Sequence, residues 1–159
     1  MKKIVVISDN HGDDDMLKYI KELEAHADYY IHCGDSEAFY TEQLAGYICV
    51  KGNNDWSLDL PKEAKLSVEG MNIFITHGQT FGYLNREYAM NDILTRNHCQ
   101  ILLSGHTHMP MFEKDGDFYY INPGSTSLPR GGSQPGYCVI TIDKGQLNCQ
   151  FKILEKTRS

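Results

Sequence analysis

Five short strand-like runs in this 159-residue chain each end in a side chain that binds metals. Ile4–Ile7 is followed by Asp9 and His11, and Tyr29–Cys33 by Asp35. Asn53 comes after Tyr47–Val50, and His77 after Ile73–Thr76. His106 and His108 come after Ile101–Ser104. In α/β sheets, ligands bind in the crevice beyond the carboxyl ends of the strands. If these strands run parallel, all seven side chains converge on one rim.

The segments between the runs read as helices at first and as hairpins later. Gly12–Asp15 leads into Met16, Leu17, Ile20 and Leu23, which share one helical face. Asp13 sits where an N-cap belongs, and the acids beside it suit the helix dipole. This acidic cluster fits helix initiation; the EF-hand loop pattern fails for want of its glycine and spaced glutamate. Further helices are expected over 37–45 and over Leu84–Arg96, the second with a stripe of Leu84, Tyr88, Ile93 and Leu94. Ala64–Val68 and Asn72–Thr76 read as strands joined at Glu69-Gly70. In the last third, Phe118–Ile121, Tyr137–Ile142 and Leu147–Leu154 read as strands, with hairpin turns at Asp115-Gly116 and Lys144-Gly145. The pattern predicts a single α/β domain over residues 1–159 with a mixed sheet system, such as two packed sheets with helices outside.

Composition narrows the function classes. A hydrophobic content of 41% with 23% charged residues suits a globular chain. No apolar run nears the roughly 20 residues of a membrane span. The Lys2-Lys3 opening is followed by only Ile4–Ile7, too short for an export signal, so no membrane association and a cytoplasmic location are expected. The net charge is −6, with Lys and Arg scattered. Such a chain is a poor clamp for long nucleic acid, whose binding rests on phosphate neutralisation. Small phosphate esters fit better, provided cations are bound. The cysteines at 33, 49, 99, 138 and 149 form no C-x-x-C pair. They read as reduced, mostly buried residues rather than as a disulfide framework or a thiolate zinc site.

Two aspartates, one asparagine and four histidines offer oxygen and nitrogen donors without thiolate. That set suits Mn, Fe, Ni, Co or Zn better than Ca, Mg or Cu(I). Seven donors exceed one closed zinc site but suit two ions that share a carboxylate and keep open positions. Taken singly, each element is weak, because a histidine after a strand commonly serves structure. The weight lies in five elements in order. His26, His32 and His98 lack this context and read as structural or exposed.

Asp9-Asn10-His11, Gly34-Asp35, Gly52-Asn53-Asn54-Asp55, Thr76-His77-Gly78 and Gly105-His106-Thr107-His108 resemble the five signature blocks of calcineurin-like metallophosphoesterases. Asn122-Pro123-Gly124-Ser125 and Pro129-Arg130 are further similar to the small YfcE-like phosphodiesterase branch. The resemblance implies a four-layer αββα sandwich, two mixed β-sheets flanked by helices, around a dinuclear centre. It places Asp9, His11 and His108 on one divalent ion and Asn53, His77 and His106 on the other, with Asp35 bridging. Manganese is the first expectation, with Ni, Co, Fe or Zn as alternatives. A hydroxide between the ions would attack phosphorus of a small phosphodiester in line. The resemblance also leaves a homo-oligomer open.

One position departs from the pattern. Many family members carry a histidine directly after the ligand asparagine, and here that residue is Asn54. Asparagine donates hydrogen bonds but supplies no proton near neutral pH. Asp55 beside it reads as a loop cap. Arg130, in a Gly-rich loop, is suited to gripping phosphate oxygens. Two other readings stay open: a phosphomonoesterase, and a protein-binding scaffold on the same fold, like the retromer subunit, with little activity. A DNA nuclease is a more distant option.

Overall fold

The computed structural model describes residues 1–154. The chain runs β1 (Lys2–Ile7), α1 (Asp14–Leu23), β2 (Tyr29–His32), a 3-10 turn (Thr41–Leu44) and β3 (Ile48–Cys49). It continues with β4 (Glu63–Val68), β5 (Met71–Thr76), α2 (Arg86–Arg96), β6 (Ile101–Leu103), β7 (Pro110–Asp115) and β8 (Phe118–Pro123). Strands β9 (Gly136–Asp143) and β10 (Gln146–Ile153) close the described chain. One mixed sheet has the order β10-β9-β1-β2-β3 and the other β4-β5-β6-β8-β7. Two packed sheets with a helix on each outer face make the four-layer αββα arrangement.

The continuous apolar runs explain the layering, because a strand buried on both faces has no polar side to alternate with. Along β1, Ile4 and Val6 face the inter-sheet core, while Val5 and Ile7 face Met16, Leu17 and Ile20 of α1. Strands β5 and β6 do the same on the other side. Ile73, Ile75, Ile101 and Leu103 join the inter-sheet core, and Phe74 and Leu102 pack under Met90 and Leu94 of α2. Strands β1, β2 and β3 are mutually parallel, as are β5, β6 and β8, so each set delivers its carboxyl ends to one edge.

Two local expectations are corrected. Residues 37–40 do not open a helix, and only the 3-10 turn Thr41–Leu44 forms. Glu37 sits in the left-handed backbone region (φ 56°), and side chains hold the amides of the segment outside helical geometry. Asp55 Oδ1 accepts from Glu37 N, Ser36 Oγ from Ala38 N, and Gln43 Oε1 from both Phe39 N and Tyr40 N. Helix α2 begins at Arg86 and buries Met90 and Leu94, while Leu84 and Tyr88 are 97% and 75% exposed. Strand β7 is announced only by the hairpin turn at Asp115-Gly116, since Glu113, Lys114 and Asp115 spoil any alternation in the strand itself. It is an edge strand, where charge and a leading proline are tolerated.

His32 ends β2 fully buried. Its Nε2 donates to Asn10 Oδ1 at 2.7 Å, and its Nδ1 accepts from Gly34 N at 3.0 Å. Burial, above all, pushes its pKa from 6.5 down to about 4, and the bond from Gly34 leaves Nδ1 no room for a proton. The unfolded chain takes up that proton near 6.5 and the folded chain near 4. The resulting stability is whole above the first value and is lost as pH falls toward the second. In metal-stripped protein, urea melts should show a loss of up to about 3 kcal/mol from this group across that window. His32→Gln should flatten the slope, and an unchanged slope would exclude His32 as its source.

Candidate metal centre

The topology brings the seven predicted residues to one edge of the sandwich. Asp9 and His11 follow β1, Asp35 follows β2, and Asn53 follows β3, all on the first sheet. His77 follows β5, and His106 and His108 follow β6, on the second. The two halves meet across the seam. Asp9 Oδ1 lies 3.2 Å from His108 Nε2, 3.7 Å from His11 Nε2 and 3.8 Å from His77 Nε2. His77 Nε2 lies 3.3 Å from Asp35 Oδ2, and His106 Nδ1 lies 3.1 Å from Asn53 Oδ1. Two overlapping donor groups result, Asp9 with His11 and His108, and Asp9 with Asp35 and His77. Asp9 is the member common to both, whereas the family resemblance implies the shared role for Asp35.

Asp9 Oδ1 and His77 Nε2 are buried and hydrogen-bonded to nothing. Leaving such atoms unpaired costs roughly 1–3 kcal/mol apiece. A carboxylate oxygen facing an imidazole nitrogen is the donor pair a divalent cation completes, so these residues fit a metal centre. The outer ring nitrogens are tied back. His11 Nδ1 pairs with Glu37 Oε2 at 2.7 Å, His77 Nδ1 with Cys33 O at 2.8 Å, and His108 Nδ1 with Leu128 O at 2.6 Å. Each donation from Nδ1 leaves the Nε2 lone pair facing inward, the usual support for a ligating histidine.

The electrostatics match that reading. Burial alone would raise the Asp35 carboxyl, but contact with His77 and hydrogen bonds from Asn54 outweigh it and hold Asp35 well below the carboxylate range. His77 is pushed down by burial and up, on balance, by Asp35 and Asp9. The nearby Asp9 carboxylate raises His108, while burial and the charge of His77 lower His106. A histidine ligates a cation only through an unprotonated nitrogen, and the upward pull on His77 and His108 makes them easier to protonate, so acid weakens cation binding.

Five of the seven residues sit in the left-handed backbone region: Asp9 (φ 56°), His11 (45°), Asp35 (60°), His106 (72°) and His108 (62°). Such residues cost on the order of 1 kcal/mol or more each and cluster at functional sites. Close approach also demands glycine. A Cβ on Gly34 would stand 2.7 Å from His77 Nδ1, and one on Gly105 would stand 2.7 Å from Asp9 Oδ2.

Asn54 lies on Asp35, its backbone N–H reaching Oδ1 at 2.8 Å and its Nδ2 reaching Oδ2 at 3.0 Å. Asp55 is a buried loop hub, accepting from the amides of Asp35, Glu37 and Gly52. Arg130 is exposed, and its side chain lines a cleft of about 390 Å³ together with His106. His26 and His98 are exposed, and neither joins the cluster.

Sequence reasoning missed the supports. Ser8 Oγ and His106 N both donate to Asp9 Oδ2. Asn122 Nδ2 fastens Gly105 O and Thr107 Oγ1, and Ser125 Oγ donates to Asp9 O. Asn122 and Ser125 belong to the Asn122-Pro123-Gly124-Ser125 motif, whose supporting role comes from contacts with the β1 and β6 loops. Glu37 had no signal beyond standing two residues after Asp35.

Removing Glu37 frees His11 to rotate. Glu37→Ala should weaken metal affinity by roughly 10–100-fold, read by competition with a chromophoric chelator. An affinity equal to the parent's would show that His11 is oriented by other contacts.

Residues 1–145 match the calcineurin-like phosphoesterase superfamily domain. The probable metallophosphoesterase YsnB of Bacillus subtilis is 33% identical over 154 residues, covering 93% of this chain and 89% of that protein. Phosphodiesterase YfcE of Escherichia coli K12 is 29% identical over 171 residues, covering 90% and 89%. The crystal structure of a predicted phosphoesterase from Streptococcus pneumoniae TIGR4 superposes with a TM-score of 0.87 at 29% identity, over 94% of this chain and 88% of the other. Vacuolar Protein Sorting 29 from Cryptosporidium parvum shares the fold, with a TM-score of 0.75 at 17% identity, over 98% of each chain.

Proposed function

Since the chain belongs to the calcineurin-like phosphoesterase superfamily, we propose that it is a metal-dependent hydrolase of small phosphodiesters. The observation that carries this reading is the pair of orphaned buried donors, Asp9 Oδ1 and His77 Nε2, at the meeting point of two three-residue donor groups. The YsnB and YfcE relatives carry the names probable metallophosphoesterase and phosphodiesterase, so a protein-binding scaffold is the weaker alternative.

In this proposal Asp9, His11 and His108 hold one divalent ion and Asn53, His77 and His106 the other, with Asp35 between them. Two divalent ions would supply a Lewis-acid pair and an activated water for in-line displacement at phosphorus. The donor set suits Mn, Ni, Co, Fe or Zn alike, and manganese is the first of these to test. The chain's own residues do the rest. Glu37, Cys33 O and Leu128 O fix the ring planes of His11, His77 and His108. Asn54 holds the Asp35 carboxylate in place rather than delivering a proton, so substrates with good leaving groups are favoured. Arg130, beside His106, grips phosphate oxygens. YfcE carries the name phosphodiesterase, which supports the diester over the monoester.

Metal-stripped protein should hydrolyse an aryl phosphodiester once Mn, Ni, Co, Zn or Mg is restored. Asp9→Ala and His106→Ala should each lose more than about a hundredfold, beyond the loss typical of a supporting residue. An inactive parent with two ions bound per chain would instead favour the scaffold, and faster turnover of an aryl monoester would favour a phosphomonoesterase. Arg130→Ala should raise KM several-fold with kcat less affected; an unchanged KM would remove its gripping role.

A further inference from the structure

The cleft that opens from His106 carries more positive charge than one diester phosphate needs. The chain has a net charge of −6, and three of its arginines lie among the described residues. Arg96 is paired with Asp92 at 2.8 Å. Arg86 and Arg130 both line this cleft, and neither is paired with a carboxylate among the described residues. The two arginines are held by different elements. Arg130 is anchored at the metal end, where its backbone N–H donates to His108 O at 3.0 Å. Arg86, the first residue of α2, lies with its guanidinium 5.7 Å from the centre of the Phe81 ring, and its Nη1 donates to Phe81 O at 3.4 Å. One hydrogen bond and a ring contact fix its orientation while most of its five N–H donors remain available.

The rest of the lining is mixed, with Gln79, His106 and Thr107 polar and Phe81, Tyr83 and Met109 aromatic or apolar. Phe81 is buried behind Arg86, Tyr83 is fully exposed, and Met109 is 45% exposed. Tyr83, exposed in the same cleft as the two guanidinium groups, offers a stacking surface, and the cleft volume of about 390 Å³ lies within the range of small-molecule sites.

We propose that this cleft receives an ester arm of the substrate that carries a flat aromatic group and a second phosphate, the chemistry of a phosphorylated nucleoside. The scissile phosphate lies at the metal centre with Arg130, the ring rests against Tyr83 and Met109, and the second phosphate meets Arg86. This assignment rests on the phosphodiesterase reading and adds the substrate class to it.

Two chromogenic diesters separate the ideas. Thymidine 5′-(p-nitrophenyl phosphate) has one phosphate, and its 3′-phosphorylated counterpart has two. With metal restored, the second should show kcat/KM at least about tenfold higher, mostly through KM. Arg86→Gln should bring the ratio of the two close to one, and Arg86→Lys should restore part of it. Calorimetry of thymidine 3′,5′-bisphosphate against thymidine 5′-monophosphate should show the same preference and the same loss in Arg86→Gln. A ratio near one in the parent, or a ratio that Arg86→Gln and Arg86→Lys leave unchanged, would overturn the subsite. If bis(p-nitrophenyl) phosphate is hydrolysed while that ratio is one, the subsite fails and the phosphodiesterase stands. If no diester is hydrolysed, the phosphodiesterase reading fails, and a bisphosphate preference that depends on Arg86 would still show the anion subsite by binding.

Discussion

Burying the Asp9 carboxylate is the constraint to which most of the surrounding structure answers. A charge removed from water costs several kcal/mol unless it is paired and hydrogen-bonded, and Asp9 is fully buried. One of its oxygens is satisfied by Ser8 Oγ at 2.5 Å and by the amide of His106 at 3.1 Å. Its backbone is pinned too, with N–H to Gly34 O and carbonyl to the hydroxyls of Ser125 and Ser127. Strand ends from both sheets therefore close around a single residue. The other oxygen is left facing three histidines. The protein satisfies half of this anion and leaves the other half for a cation.

The same compromise runs through the backbone. Asp, Asn and His tolerate the left-handed region better than branched residues do, which lets short loops turn a ligand inward directly after a strand. At His11, Asp35, His106 and His108 the chain uses that freedom on the candidate donor itself rather than on a neighbouring glycine. The glycines are kept where two loops pass in contact, as at Gly34 against His77 and Gly105 against Asp9. Three-residue spacings such as Asp9-Asn10-His11 follow from this geometry. The middle Asn10 is buried and accepts from His32, so the motif's spacer is a structural residue.

Much of this was legible in the chain because strand ends are marked by abrupt changes from apolar to polar. Ile4–Ile7 followed by Asp9 shows both the buried strand and the donor beyond it. What escaped was set by contacts between distant residues. The segment 37–40 has helical composition, but Asp55 and Gln43 take its amides, and nothing local announces that. Strand β7 is held by pairing with β8, not by its own pattern. Leu84 and Tyr88 fit a helical stripe on paper, yet sheet packing selects Met90 and Leu94 instead. Arg86 had no motif, and its place beside the cleft depends on where α2 begins.

The donors divide between the sheets, with Asp9, His11, Asp35 and Asn53 on one and His77, His106 and His108 on the other. The thickness of the hydrophobic layer between them, built from residues such as Val6, Ile31, Ile75 and Leu103, therefore works as a spacer that sets the gap across the centre. Packed sheets lie about 10 Å apart, and a methylene gained or lost in that layer is transmitted because interiors are close-packed. The core of this protein is thus a calliper as well as a source of stability. Evolution of the two properties is tied together, since residues that never touch a ligand still decide how far apart the ligands stand.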